Sequence, residues 1–161
     1  LLDEYKSLLE RIEAAVDFAE NKIENCGLTV LYVDDDLMYR SLVKRMLRDG
    51  FGSVLTNQSA EEALETLNSK IAEAQENGAE PDLPQIILLD LNLSGMNGLS
   101  LLRKLRESDV FGKIPAVIYT SDNDRETQLE CLRAGAADFI AKPADWEVLT
   151  ERLKRLAVMS E

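Results

Sequence analysis

Residues 28–37 read "LTVLYVDDDL", an apolar run that stops at three consecutive carboxylates, Asp34, Asp35 and Asp36. A stretch of β-branched, aliphatic and aromatic residues without polar alternation is a strand buried on both faces. Four similar runs follow, "SVLT" at 53–56, "QIILLD" at 85–90, "AVIYT" at 116–120 and "DFIAK" at 138–142. Between them, and after the last, lie "LMYRSLVKRMLRDG", "SAEEALETLNSKIAEAQENG", "GLSLLRKLRES", "RETQLECLRAG" and "WEVLTERLKRLAVM". Their apolar residues recur at spacings of three and four, the signature of helices. Strict alternation predicts an α/β fold: a doubly wound, five-stranded parallel sheet with right-handed crossovers, covered by five helices. The punctuation agrees. Asp36, Ser59 and Asp145 precede helical runs as N-caps, Gly50, Gly78 and Gly135 follow them as C-terminal stops, and Pro81 and Pro84 mark a loop.

Residues 1–26 stand outside that alternation. A heptad counted from Leu2 puts Leu2, Leu9, Val16 and Ile23 at one seam position and Tyr5, Ile12, Ala19 and Cys26 at the other, with Asp3, Glu10, Asp17 and Glu24 facing away. Leu1, Leu8 and Ala15 widen the stripe on one flank. Such a helix suits pairing with a partner helix, which includes a homodimer, or docking on its own domain, or a plain surface position. The expected organisation is an amphipathic linker or dimerisation helix at 1–26 and a globular domain at 27–161. Opening at Leu1 inside a periodic pattern, the sequence reads as a piece of something longer.

The 161 residues carry 30 Asp and Glu against 18 Lys and Arg, a net charge of -12, which repels phosphate backbones and anionic lipid and argues against nucleic acid as a partner. There is no histidine, and Cys26 and Cys131 lie far apart, so a zinc site or thiol–imidazole catalysis has no parts. No apolar stretch approaches the roughly 18 residues of a membrane span. No signal-peptide pattern opens the sequence, and a reducing, cytoplasmic setting is expected.

Ligands of an open parallel sheet bind at the carboxyl ends of its strands, where strand order reverses. The first run ends at Asp34 and Asp35, the third at Asp90, the fourth at Thr120 and Ser121, and the fifth at Lys142. Carboxylates gathered on one rim repel unless a cation holds them, and Mg2+, satisfied by carboxylates and retained water, is the expected ion. Taken singly, each residue has a plainer reading: solvated loop carboxylates, turn hydroxyls at Thr120 and Ser121, a surface amine at Lys142. The case rests on the set. Asp90 closes a run too apolar to end in a charge without cause, and Lys142 precedes Pro143, where a cis peptide would aim its side chain.

In this order, "VDDD" after the first strand, "LLDLNLSGMNG", "YTS" after the fourth strand and "GAADFIAKP" resemble the receiver domain of two-component response regulators, over residues 28–158. The resemblance implies a flavodoxin-like strand order, 2-1-3-4-5, and a phosphoacceptor rather than a turnover enzyme. By it, Asp90 takes a phosphoryl group from a phosphohistidine on a sensor histidine kinase or phosphotransfer protein, attacking phosphorus as the nucleophile. Asp35, Asp90 and the backbone carbonyl of Asn92 would ligate Mg2+, with Asp34 acting mainly through a bound water. Lys142 would pair with a phosphoryl oxygen, and the Thr120 hydroxyl with a backbone N–H near Ser121 would complete the cradle. Phe139 would move inward as Thr120 is drawn to the phosphoryl group, although Phe139 reads equally well as plain core. Asn92 and Asp122 would influence hydrolysis.

Ser94 and Leu37 stand where the family often has proline, and Phe139 lacks a hydroxyl that some members carry. None of these departures removes a group that the transfer needs. Little sequence follows residue 158, so output is expected to pass to a partner, to a dimer or back through the amino-terminal helix. Two other readings use the same residues. An aspartate-nucleophile phosphatase would want D-x-D at the first strand and a cap domain, and "DDDL" followed directly by a helix leaves no room for one. A receiver-like module that is never phosphorylated would not need every acidic and basic position.

Overall fold

The computed structural model describes residues 1–22 and 25–160, without the side chains of residues 14–22. A parallel sheet has strands in the order β2-β1-β3-β4-β5, with β1 Thr29–Val33, β2 Ser53–Asn57, β3 Ile86–Leu89, β4 Ala116–Thr120 and β5 Asp138–Ala141. This is the expected five-stranded topology, and the reason is visible in the side chains. Successive residues of a strand point to opposite faces. Leu31, Val33, Ile87 and Leu89 enter one core, while Val30, Tyr32, Ile86 and Leu88 enter the other. All four residues of β3 are buried, so each face contributes about 1.5–3 kcal/mol per large side chain removed from water.

Helices α2 (Leu37–Leu47) and α6 (Trp146–Met159) cover one face through Val43, Leu47, Leu149 and Leu153. Helices α3 (Ala60–Asn77), α4 (Gly98–Glu107) and α5 (Arg125–Arg133) cover the other through Leu67, Leu101, Leu105 and Cys131. The capping residues act as the sequence predicts. Asp36 accepts from the N–H groups of Met38 and Tyr39, Ser59 from Glu62, and Asp145 from Glu147 and Val148. Gly78 ends α3 in the left-handed region at φ 63°, and Gly135 follows α5 at φ 106°.

Gly50 is a correction. It is not among the glycines with positive φ, and α2 already ends at Leu47. Its lack of a side chain serves packing instead, since a Cβ there would meet Thr150 Cγ2 at 2.7 Å.

Helix α1 spans Leu2–Lys22, and every side chain through residue 13 is exposed, so this stretch is not docked on the domain. The seam positions Val16, Ala19 and Ile23, with Ala15, Asp17 and Glu24, lie outside the described side chains. The heptad does not extend to Cys26, contrary to the periodicity. Cys26 lies past the helix, its N–H donates to Gly50 O at 3.0 Å, and its side chain packs on the core shared by α2 and α6.

Candidate functional site

The chain runs from β1 to β2 on one side and then crosses back to β3 on the other side of β1, so the ends of β1 and β3 flank the point where strand order reverses. Sheet-like bonding runs one residue past β1, β3 and β5 and fixes the side chains there. The Asp34 N–H donates to Asn57 O at 3.1 Å, the Asp90 N–H to Val33 O at 3.0 Å and the Lys142 N–H to Thr120 O at 2.8 Å. The peptide bond between Lys142 and Pro143 is cis.

Lys142 joins what the chain keeps apart. Its Nζ donates to Asp34 Oδ2 at 2.6 Å and to Asp90 Oδ2 at 2.9 Å, with side-chain exposures of 5% for the lysine and 0% and 9% for the two acids. Burial alone would lower the ammonium's pKa, but the hydrogen bonds and charges of Asp34 and Asp90 outweigh it and hold Lys142 above the usual lysine value. Its Nζ also lies 4.1 Å from the centre of the Tyr39 ring, a cation–π distance.

The remaining predicted residues take distinct places. Asp35 is exposed and its Oδ2 accepts from Ser94 Oγ at 3.2 Å, which links the acid pair to the loop after β3. The Asn92 N–H donates to Asp90 Oδ1 at 3.3 Å. Thr120 is buried, and its Oγ1 accepts from the Asp122 N–H at 3.3 Å. Ser121 and Asp122 are exposed beside it, and Phe139 is half-buried against the core of α3, α4 and α5.

Two tyrosines escaped the sequence reading. Tyr32 is fully buried and its hydroxyl donates to Asp34 Oδ2; burial first, and then that bond and the charge of Asp34, push its phenol far up. Tyr39, in the first turn of α2, faces Lys142. The signal for Tyr32 was available, because residues two apart on a strand share a face and Asp34 is two residues on. Nothing in the periodicity marks Tyr39.

Whether these residues suit a divalent cation can be judged from their free lone pairs. Among the described residues, no three His, Cys, Asp or Glu side chains form a ready-made cage. Mg2+ does not need one, since it keeps several waters and takes one or two carboxylates. Asp34 offers little: Oδ1 accepts from the Asp36 N–H at 2.9 Å, and Oδ2 from both Tyr32 and Lys142. Among the described residues, Asp90 Oδ1 and the Asp35 carboxylate carry only the long bonds from Asn92 and Ser94. In formal charge, the three acids less one ammonium leave the two negative charges that a divalent cation cancels. The donor set fits a hard ion.

This fold and this acid–lysine rim define a class, and comparison with known proteins agrees. The chain belongs to the response regulator receiver domain family, whose model matches residues 30–154. Among curated relatives it is 33% identical over 134 residues to the two-component response regulator ARR7 of Arabidopsis thaliana, covering 83% of this chain and 64% of that protein. It is 32% identical over 128 residues to the phosphate regulon transcriptional regulatory protein PhoB of Pseudomonas aeruginosa, covering 80% and 51%. The chain thus spans little more than half to two thirds of these relatives' length. Among solved structures, a response regulator from Chloroflexus aurantiacus superposes with a TM-score of 0.70 at 27% identity, over 82% of this chain and 98% of that one. A beryllofluoride-activated receiver domain, that of DrrB, does so with a TM-score of 0.63 at 26% identity, over 81% and 97%. Among the described residues no helix is long and apolar enough to cross a membrane.

Proposed function

We propose that this chain is a phosphoacceptor that takes a phosphoryl group on Asp90 from the phosphohistidine of a sensor histidine kinase or phosphotransfer protein. An Asp90 carboxylate oxygen forms a bond to phosphorus as the P–N bond to the donor imidazole breaks. Mg2+, when bound, cancels charge on the transferring group. Asp35, Asp90 and the carbonyl of Asn92 would hold it, with Asp34 reaching it through water. Lys142 pairs with a phosphoryl oxygen, and the Thr120 hydroxyl and the backbone N–H near Ser121 take the others. The new charge then shifts the population of a switch that involves Thr120 and Phe139.

The observation that carries this reading is the buried bridge from Lys142 to both Asp34 and Asp90, at 2.6 and 2.9 Å. It sets a cation beside Asp90, whose Oδ1 accepts, among the described residues, one 3.3 Å bond from the Asn92 N–H. Calorimetric titration with beryllofluoride in Mg2+ tests the reading: saturable binding that disappears in Asp90→Asn is expected, and no binding to the unaltered chain would overturn it. A receiver-like module that is never phosphorylated would give that second result.

The exposed apolar stripe of α1 supports a role for it as a pairing helix, joining two protomers or linking residues 27–161 to another module. Free thiols at Cys26 and Cys131 suit the reducing cytoplasm.

A further inference from the structure

The phosphoacceptor reading leaves the Tyr32 hydroxyl without a part. It donates to Asp34 Oδ2, the same oxygen that receives Lys142 Nζ at 2.6 Å. The other oxygen of Asp34 is taken by the Asp36 N–H at 2.9 Å, and the side chain is fully buried. Lys142 spends two of its three donors on Asp34 and Asp90, and a phosphoryl group on Asp90 competes with Asp34 for that ammonium. A buried carboxylate that loses a charged donor pays its full desolvation penalty unless another donor stays.

We infer that Tyr32 is a positioning residue: its hydroxyl keeps Asp34 Oδ2 satisfied while Lys142 swings over to the phosphoryl group. The donor is fixed in place. The Tyr32 ring is sealed in the core with Val43, Leu88 and Leu149, its centroid 6.5 Å from that of Tyr119. Asp34 follows on the same face of the strand, so the bond persists without any movement of the backbone. The inference rests on the phosphoacceptor reading and adds a statement about what sets the lysine free.

Tyr32→Phe keeps the ring that fills the core and deletes only the hydroxyl. Lys142 then becomes the remaining side-chain donor to Asp34 Oδ2 and is held there. Beryllofluoride affinity at saturating Mg2+ is expected to fall about tenfold, the scale of one hydrogen bond to a charged group. A merely structural tyrosine would not discriminate between backgrounds, so the decisive readout is a double-mutant cycle. In an Asp34→Asn chain, which has no buried charge to hold, Tyr32→Phe is expected to change the affinity less than twofold. Equal affinity in Tyr32→Phe and the unaltered chain, or an equal loss in both backgrounds, overturns the inference. If the unaltered chain itself binds no beryllofluoride, the phosphoacceptor reading fails, and this inference falls with it.

Discussion

A Cβ on Gly98 would stand 2.1 Å from the carbonyl oxygen of Asp90 and 2.8 Å from the Cα of Leu91. The first residue of α4 therefore packs directly on the backbone of Asp90 and Leu91, and backbone atoms cannot swing aside as a side chain can. Gly98→Ala is expected to push the loop off Asp90, cost about 2–3 kcal/mol and weaken Mg2+ binding at least tenfold. Gly78→Ala is the control. Gly78 has φ 63° and nothing within 4 Å, so it is expected to cost about 1 kcal/mol with no effect on Mg2+. Urea and Mg2+ titrations of the two variants check both parts.

Asp35 is exposed, and its bond to Ser94 is long, at 3.2 Å. Without a cation it adds repulsion to a rim that Lys142 only partly neutralises. Asp35→Asn is expected to raise stability in the absence of metal by about 1 kcal/mol. Mg2+ is expected to stabilise the unaltered chain further, and Asp35→Asn is expected to abolish that gain. Thermal melts with Mg2+ and with a chelator measure both signs; a destabilised variant in the chelator would show that Asp35 is not under repulsion.

Lys142 is the counter-charge of two buried acids, so its removal should cost more than any surface ion pair. Lys142→Met is expected to destabilise the chain by about 3–5 kcal/mol. Adding Asp34→Asn removes one of the stranded charges and is expected to restore part of that loss. Urea denaturation of the single and double variants checks it, and a Lys142→Met chain as stable as the original would mean that the bridge is energetically idle.

Much of this could be read from the chain before any coordinates. The strands were legible because β3 and β4 are buried at every residue, with no polar alternation to blur them. Asp36, Ser59 and Asp145 were legible because a short oxygen-bearing side chain at a helix start has one main use. Gly50 was misread because periodicity cannot separate a glycine needed for its φ from one needed for its smallness beside Thr150. Cys26 was misplaced because a heptad count does not register where a helix ends. The acid–lysine rim came from the ends of strands, but the tyrosines that hold it looked like ordinary strand and helix filler. Their polar ends meet Asp34 and Lys142 only after the chain has folded.

Glu61 ties α3 to the loop that follows β3. Its Oε1 accepts from the Met96 N–H at 2.9 Å, and that bond, above all, holds its carboxyl below its ordinary value. A depressed carboxyl adds stability that is present above its unfolded pKa and lost as the pH falls through the folded one. The Met96 amide resonance is therefore expected to move with acid titration below the ordinary glutamate value of 4.5, and to stay still over that range in Glu61→Gln. An unaltered titration of that amide in Glu61→Gln would assign the movement to another group.

Leu2, Tyr5, Leu8, Leu9 and Ile12 of α1 are 46–74% exposed, and they recur on one side of the helix. An amphipathic helix draws most of its stability from burying such a face, and here the domain does not cover it. Leu8 beside the seam makes the stripe broad enough for two or more helices to pack. The chain is therefore expected to self-associate, and a Leu9→Glu, Ile12→Glu variant is expected to sediment as a monomer with less helical circular dichroism. Both substitutions lie on α1, remote in sequence from the strand ends that carry the acids, so Mg2+ and beryllofluoride binding are expected to stay unchanged. Identical monomeric masses for the unaltered chain and the variant would remove a second copy as the partner of α1.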